Sequence, residues 1–253
     1  EIELGIELLK SGQHSLIPLL APSIPKLASN ALRGSIIAAP GKKLVISDLS
    51  NIEGVTAAWL AGETWKLSAY QEMFDDHTKP DMYRLAYGRS FGVDPMSISK
   101  AQRQLGKIQE LALAYEGGVG AFVTFVLTYR MDLAAVAAAV LPVLAPEVYK
   151  QALGMLSWRR GKNLNTYGLT DEVFIACEAL KYLWREAHPA ISTYWKELER
   201  TAMKAIANPG QTFECRRLAF RRDGVWLRMI LPSGRSVCYP SAHIRDGKIY
   251  YQG

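Results

Sequence analysis

The spacing of apolar residues changes abruptly near residue 208, and this change limits the folds that the chain can adopt. From about residue 63 to residue 208, nearly every segment repeats its apolar residues with the 3.6-residue period of a helix. Asn208-Pro209-Gly210 then interrupts the pattern, and "VWLRMILPSGRSVCYP" (225–240) alternates apolar and polar residues around a Pro-Ser-Gly turn, as β-hairpins do. "KIYYQ" (248–252) is predicted to add a third strand. The sequence therefore predicts an α+β fold in which a helical block precedes a small antiparallel sheet.

Composition excludes several classes of protein. With 253 residues and 49% hydrophobic residues, the chain is long and apolar enough to bury a core. The longest apolar run, 133–145, is too short to span a bilayer and contains Pro142, so we predict a buried Ala-rich helix there and no membrane. The three cysteines lack metal-ligand spacing, and the four histidines are scattered, so neither a zinc site nor a histidine triad is expected. Without a signal peptide or an initiator Met, we expect reduced thiols, a cytoplasmic location and a start inside a longer protein.

The segment 44–61 carries the first candidate site. Residues 44–46 are predicted to form a short buried strand with Asp48 at its end, and a helix is predicted to follow and to end at Gly62. Ser50 and Glu53 fit the S-x-x-E capping box of a helix start. Asp48 fits either an ordinary turn residue or a ligand of Mg²⁺, which takes one or two carboxylates. Upstream, residues 1–33 are predicted to form short helices broken by prolines at positions 18, 22 and 25.

The segment 101–118 carries the second candidate site. At 100° per residue, Arg103, Lys107, Leu111 and Tyr115 form one row along a helix, and Glu110 is expected beside them, paired with one of the two cations. Leu105, Ile108 and Ala112 form the predicted buried stripe, and the two glycines after the tyrosine are predicted to end the helix. The pattern is compatible with a generic amphipathic helix. Cations beside a ring are also suited to a nucleoside triphosphate, since cations bind phosphates and rings stack on bases.

Positive charge is concentrated at the end of the chain. Residues 211–253 hold eight basic and three acidic side chains, which accounts for +5 of the net charge of +6. This concentration favours a polyanionic partner, because basic side chains that neutralise phosphates release counterions. A solvated basic surface is the alternative. The candidate DNA-binding residues are Arg216, Arg217, Arg221, Arg222, Arg228 and Arg235.

Several of these stretches resemble motifs of the family A DNA polymerases, the DNA polymerase I-like group. "SDLSNIE" (47–53) resembles motif A, D-[YFL]-S-x-I-E, and "RQLGKIQELALAYEGG" (103–118) resembles motif B, R-x₃-K-x₆₋₇-Y-G. "DMYRLAYGRSFG" (81–92) resembles the segment between them, and "RGSIIAAPGKKLVISD" (33–48) the approach to motif A. "LPSGRSVCY" (231–239) recurs in the bacteriophage-type branch. The matches follow the order of the family.

The resemblance implies a right-hand polymerase fold and a role for each matching residue. Residues 1–62 and 209–253 would be parts of the palm, and 63–208 the helical fingers with an O-helix-like segment at 101–116. Asp48 and the carbonyl of Leu49 would bind catalytic Mg²⁺, and Glu53 would exclude a ribose 2′-hydroxyl. The incoming deoxynucleoside triphosphate would be contacted by Arg103 and Lys107, by Tyr83 in place of a common His, by Leu111 in place of Phe or Tyr, and by Tyr115 beside the nascent base pair.

The resemblance also implies that the chain is incomplete as a catalyst. The second metal-binding carboxylate of the family belongs to motif C, usually His-Asp-Glu, and this tripeptide does not occur in the sequence. Glu116 replaces the usual Gly after the motif B tyrosine. The expected function is therefore that of a DNA-directed DNA polymerase of replication, a nucleotidyltransferase, represented by a fingers and palm fragment that is inactive alone. Primer–template DNA and deoxynucleotides are the expected partners of a monomer in a bacterial or phage-infected cell.

Two other functions remain open at this point. One is a non-catalytic module that binds primer–template DNA, against which the retained Asp48 argues, since an acid near phosphate does not help DNA binding. The other is a single-subunit RNA polymerase, whose motif A lacks the glutamate at the position of Glu53.

Overall fold

The structure is a computed structural model that describes residues 2–19 and 24–253. The chain divides into two compact units, 1–50 and 51–253. Each unit is described by itself below.

The first unit consists of short helices around a small apolar cluster. Its elements are α1 (Ile2–Lys10), a 3₁₀-helix (His14–Leu19), α2 (Ile24–Ala31) and a second 3₁₀-helix (Leu32–Ser35). Leu8, Ile17 and Leu27 are buried against one another and form the cluster. Short helices are thus confirmed in the described residues, but two of the predicted breaks are wrong, since Pro18 lies inside the first 3₁₀-helix and Pro25 is the second residue of α2. Position 22, the third predicted break, lies outside the described residues.

The strand predicted at 44–46 is wrong. Residues 42–49 have no regular secondary structure, and the side chains of Val45 and Ile46 are 85% and 88% exposed. The segment is apolar, but a strand also needs a neighbour for its N–H and C=O groups. The described residues of the first unit contain no strand that could supply this neighbour.

The second unit begins with a block of nine helices, as the periodicity predicted. They are α3 (Ile52–Ala61), α4 (Thr64–Asp75), α5 (Met82–Phe91), α6 (Lys100–Leu113), α7 (Val119–Thr128), α8 (Leu133–Val140), α9 (Pro146–Gly161), α10 (Asp171–Ala187) and α11 (Pro189–Ala207). The central helix is α10, which contacts α5, α6, α7, α8, α9 and α11. Thr170 caps its first turn, and residues 173–180 are all buried, so this helix is surrounded by its neighbours.

The sheet follows the helices and packs on α11. Four strands lie in the order β1-β2-β3-β4, all antiparallel, and β5 pairs with β6 in a separate ribbon. Their bounds are β1 (Thr212–Cys215), β2 (Leu218–Asp223), β3 (Trp226–Ile230), β4 (Ser236–Pro240), β5 (His243–Arg245) and β6 (Lys248–Tyr250). The predicted hairpin (β3 and β4), the strand β6 and the α+β class are confirmed. Strands β1, β2 and β5 were not predicted, because they are short and interrupted by charged residues.

The apolar run 133–145 is only partly buried. In α8, Val136, Ala137 and Val140 face the core, while alanines 134, 135, 138 and 139 are exposed. Within the described ranges, no single helix is long and apolar enough to cross a membrane; the sharply bent pair Val119–Thr128 and Leu133–Val143 meets that test by length and composition only.

The crossing of α5 and α6 depends on Gly106. A Cβ atom at Gly106 would lie 2.1 Å from the Tyr83 carbonyl oxygen and 3.2 Å from the Tyr87 Cβ. We therefore expect Gly106→Ala to lower the free energy of unfolding by about 1–3 kcal/mol through overpacking, although alanine favours helix by about 1 kcal/mol. Chemical denaturation measures this change.

Gly154 of α9 provides the matched control, because a Cβ there would meet no atom within 4 Å. We expect Gly154→Ala to raise the free energy of unfolding by about 0.5–1 kcal/mol. A stabilising Gly106→Ala would show that the helices can separate at this crossing without cost.

Candidate active site

The first turn of α3 presents Glu53 without any capping role. The N-cap residue is Asn51, in the left-handed conformation at φ 56°, and no side chain caps this helix end. The capping box of Ser50 and Glu53 is therefore wrong: with Asn51 at the N-cap, the two side chains do not occupy the N-cap and N3 positions that the motif requires. Glu53 is exposed in the helix's first turn, where the helix dipole favours a carboxylate.

Helix α6 carries most of the other candidate residues and ends earlier than predicted. A capping box of Ser99 and Gln102 begins it, and its last residue is Leu113, so Tyr115 lies beyond the helix and not on its surface row. Gly117 explains the early end: a Cβ there would lie 1.7 Å from the Ala112 carbonyl oxygen, so the chain turns back closely against its own helix. Glu116 adopts φ 61° within this turn.

Glu53 and Tyr115 line the same cleft, although they are distant in sequence. The cleft has a volume of about 730 Å³ and lies between α3, the turn after α6, α11 and β6. Its walls are mainly apolar and include Ile52, Ala57, Leu60, Ile191, Tyr194, Trp195, Leu198 and Ile249. Burial raises the pKa of the Tyr115 hydroxyl, and the Glu53 and Glu110 carboxylates raise it further. Tyr115 is therefore neutral at physiological pH and can donate a hydrogen bond.

Glu116, which also lines this cleft, forms an ion pair with α11. Lys196 Nζ of α11 lies 2.6 Å from Glu116 Oε1, and both side chains are about half exposed. The pair joins the turn that holds Tyr115 to α11. Glu116, which departs from the family's usual glycine, is thus engaged with a lysine in this structure.

Tyr83, Arg103 and Lys107 form a second group, on α5 and α6. The Arg103 guanidinium lies 5.3 Å from the Tyr83 ring centroid, and its Nε is 2.6 Å from Oδ2 of Asp81, the N-cap residue of α5. Lys107 Nζ lies 4.6 Å from the Tyr129 ring centroid and 6.0 Å from that of Tyr83. Burial raises the pKa of Tyr83, and the charge of Lys107 partly opposes this shift.

Lys107 differs from Arg103 in having no counter-ion. No carboxylate lies within ion-pair distance of it in the described part of the chain, whereas Arg103 is paired with Asp81. Aromatic faces attract an ammonium group without neutralising it. An anion approaching α6 from solvent would therefore meet one uncompensated cation, Lys107, beside one compensated cation. Leu111, one turn further on, is partly buried.

Glu110 does not lie on the cationic face, contrary to prediction. It is buried, with Oε2 at 2.5 Å from Lys66 Nζ of α4 and Oε1 at 2.8 Å from Trp184 Nε1 of α10. His188 stacks on Trp184 and donates from Nδ1 to the Trp184 carbonyl oxygen, while its Nε2 lies 3.2 Å from Glu110 Oε1 without a hydrogen bond. The group connects α4, α6 and α10. From sequence, Glu110 was expected on the cationic face and His188 was one of the scattered histidines, while Lys66 and Trp184 were not predicted as partners.

Burial and the neighbouring charge shift the pKa of Glu110 in opposite directions. Burial raises the pKa of the Glu110 carboxyl, but the charge of the Lys66 ammonium outweighs burial, and the pKa falls to about 2. Burial also lowers the pKa of His188, so the imidazole is neutral near pH 7. Glu110 is thus an ionised carboxylate inside the core, which requires the cation of Lys66 as a partner.

The predicted metal ligands, Asp48 and Leu49, lie in the irregular segment of the first unit. Across residues 2–19 and 24–253, no group of three or more His, Cys, Asp or Glu side chains is arranged to hold a metal ion. The described residues therefore do not form a complete magnesium site.

The chain is similar to two curated proteins. It is 30% identical over 241 residues to the DNA polymerase of Bacillus phage SP02, an alignment that covers 94% of this chain and 30% of that protein. It is 31% identical over 91 residues to DNA polymerase I of Chloroflexus aurantiacus, covering 36% of this chain and 9% of that protein. The chain belongs to the family A DNA polymerases. The comparisons with family models and with solved structures found no match to this chain.

Three of the candidate DNA-binding arginines of this family A polymerase chain make internal contacts. Arg216 binds both carboxylate oxygens of Glu197 and the Ala61 carbonyl oxygen, and Arg217 lies 4.4 Å from the Trp59 ring centroid. Arg222 donates to the Ile206 carbonyl oxygen at the end of α11. These contacts join the sheet to α3 and α11.

The other three arginines point away from the core of this polymerase chain. Arg221 and Arg228 are cross-strand partners on the open face of the sheet and flank Asp223, whose carboxylate oxygens lie 2.7 and 3.5 Å from them. Arg235 is exposed in the turn between β3 and β4, where its Nε lies 3.5 Å from Ser233 Oγ. The assignment of all six to DNA stays a prediction.

Proposed function

We propose that the protein to which this chain belongs is a template-directed DNA polymerase. It transfers a deoxynucleotide from its triphosphate to a primer 3′-hydroxyl and releases pyrophosphate. The proposal rests on the family and, above all, on the observation that Glu53 and Tyr115 line one cleft. The chain itself spans 30% of the length of its phage relative, so the activity is proposed for the full-length protein.

In this proposal the cleft receives the sugar and base of the incoming nucleotide. The Glu53 carboxylate occupies the space that a ribose 2′-hydroxyl needs, and Tyr115 lies beside the new base pair. The apolar cleft walls support this role, because a flat base gains from contact with apolar and aromatic surfaces. Residues 63–208 then correspond to the fingers, and 1–62 and 209–253 to parts of the palm.

The triphosphate is proposed to bind along α6. Lys107, which has no counter-ion in the described residues, supports this assignment because a triphosphate would supply the missing negative charge. Arg103 would exchange its contact with Asp81 for one with a phosphate oxygen. Tyr83 would position both cations through its ring, and Leu111 would contact the sugar from the next turn of α6.

The duplex is proposed to contact the basic sheet. Arg221, Arg228 and Arg235 are the accessible candidates, whereas Arg216, Arg217 and Arg222 have internal partners. Phosphate contacts of this kind position a duplex without selecting its sequence.

Asp48 and the Leu49 carbonyl are proposed to contribute to a Mg²⁺ site that other residues complete. The described residues do not form a complete site of this kind. In-line phosphoryl transfer between two metal ions needs more than one carboxylate. We therefore expect this chain to bind DNA weakly and to lack polymerase activity by itself.

Primer extension by the full-length protein tests the proposal. We expect extension with Mg²⁺ and deoxynucleotides, and its absence from a folded, DNA-binding protein would favour the alternative, a non-catalytic primer–template-binding module.

The Lys107→Ala substitution tests the triphosphate site. Loss of a hydrogen-bonded charge pair costs about 1.5–3 kcal/mol, so kcat/KM for a deoxynucleotide should fall roughly ten- to a hundredfold. Steady-state kinetics measures this, with Lys204→Ala on the exposed surface of α11 as control. A Lys107→Ala variant that loses stability but keeps its kcat/KM would show that Lys107 only packs against the two tyrosines.

A further inference from the structure

One face of α9 leaves a tryptophan uncovered. Trp158 is 52% exposed, which makes it the most exposed of the six tryptophans. It has no ring contact and no side-chain hydrogen bond among the described residues. Lys150 lies eight residues before it on α9, and Lys162, the C-cap residue of α9, lies four residues after it; both are exposed. With four-residue spacing, the three side chains lie on one side of the helix and its end.

Two glycines leave the helix surface around this tryptophan without side chains. Gly154 lies one turn before Trp158, and Gly161 lies one turn after it, at the end of the helix. A Cβ at either glycine would meet no atom within 4 Å, and neither glycine has positive φ. A glycine inside a helix is destabilising relative to alanine. Packing and backbone conformation therefore do not explain Gly154, and this glycine leaves the helix surface one turn before the indole without a side chain.

The charge around this face is positive. Glu147, in the first turn, is the one acidic residue within α9. Beside the row, the Arg159 guanidinium lies 5.5 Å from the Tyr167 ring centroid, and Arg160 is bound to Asp171. Lys150 and Lys162 are about 18 Å apart along the helix. An accessible ring between two lysines suits a polyanion that carries flat apolar groups.

We propose that the Trp158 face of α9, made of Lys150, Gly154, Trp158, Gly161 and Lys162, binds single-stranded nucleic acid. One unpaired base stacks on the indole in the space beside the glycines, and the two ammonium groups contact phosphates on either side of it. Stacking needs a base whose face is free, so the site selects unpaired over duplex strands. The proposal goes beyond polymerase activity, and it does not require a catalytically competent cleft.

Titration of the chain into fluorescein-labelled oligodeoxythymidine, followed by fluorescence anisotropy, tests the proposal. Loss of one stacked base should weaken binding roughly five- to a hundredfold in Trp158→Ala. Trp158→Phe should retain part of the affinity, because it keeps a ring. Leu153→Ala is the matched control, since Leu153 is 41% exposed on the same helix but lies off the row.

Gly154→Leu separates recognition from folding. Leucine favours helix over glycine, and its side chain meets no neighbour at the Cβ position, so the thermal midpoint should rise. The same side chain would cover the indole and should weaken oligonucleotide binding at least fivefold. A variant that is more stable yet binds less tightly cannot be explained by a structural role of this face.

Three results would overturn the proposal. They are no measurable binding of the oligonucleotide by the wild-type chain, unchanged affinity in both Trp158→Ala and Gly154→Leu, and a loss of self-association in Trp158→Ala with oligonucleotide affinity retained. The last, seen by sedimentation velocity, would make this face an interface between copies. Primer extension by the full-length protein is measured separately, so failure of the proposed polymerase function would leave these binding results unaffected.

Discussion

Glu53→Ala in the full-length protein should reduce the ratio of kcat/KM for dCTP to that for rCTP by orders of magnitude. In the proposed cleft, the Glu53 side chain occupies the space of a 2′-hydroxyl, so its removal admits the ribose. Discrimination is a difference between two transition-state free energies, and it falls even if overall activity also falls. Because no side chain caps α3, the variant should lose little stability.

Two variants control this experiment. Glu53→Gln keeps the size of the side chain and should keep most of the discrimination. Glu199→Ala removes another acid that lines the same cleft from α11 and should leave the ratio unchanged. An unchanged ratio in an active Glu53→Ala enzyme would remove the gating role and weaken the proposed polymerase function with it.

Lys66→Met should destabilise the chain by about 3–5 kcal/mol, because it leaves the buried Glu110 carboxylate without its cation. The midpoint and extrapolated free energy of chemical denaturation measure this loss. The double variant Lys66→Met/Glu110→Gln should recover a large part of it, since glutamine carries no charge and can still accept from the Trp184 indole.

The exposed pair of Glu116 and Lys196 is the matched control for Lys66→Met, and Lys196→Ala should change stability by no more than about 1 kcal/mol. An equally small effect of Lys66→Met would mean that water reaches Glu110 in solution.

The ion pair of Lys66 and Glu110 makes the free energy of unfolding depend on pH in the acidic range. The folded pKa of Glu110 lies below its unfolded value of 4.5, so its contribution is present above pH 4.5 and is lost as pH falls towards 2. The lowered pKa of His188 acts in the same direction below about pH 6.5, because the folded state resists protonation. Glu110→Gln should flatten the lower part of this dependence, while His188→Gln should flatten the upper part.

Local sequence patterns predicted the elements that are determined by local contacts. The hairpin of β3 and β4 follows from alternation around one turn, and the buried stripe of α6 follows from helical spacing. Tyr115 was misplaced on the helix because the end of α6 depends on how closely Gly117 approaches Ala112, which spacing does not encode.

Local sequence patterns could not predict the contacts between segments that are distant in the chain. Glu110 was expected beside Arg103 and Lys107, but its partners come from α4 and α10. Likewise, the internal roles of Arg216 and Arg222 depend on the packing of the sheet against α11. Glu53 and Tyr115, which were chosen from two different motifs, line one cleft. Their roles in that cleft stay predictions.

The unpaired segment 44–46 has a consequence for the solubility of the chain. Val45 and Ile46 are β-branched and exposed, and they can pair edge to edge with the same residues of a second molecule. Lys42 and Lys43 directly precede them, and like charges of this kind oppose stacking of identical segments. Salt screens that repulsion. Concentrated solutions of the chain should therefore remain clear at low ionic strength and form aggregates as salt is added.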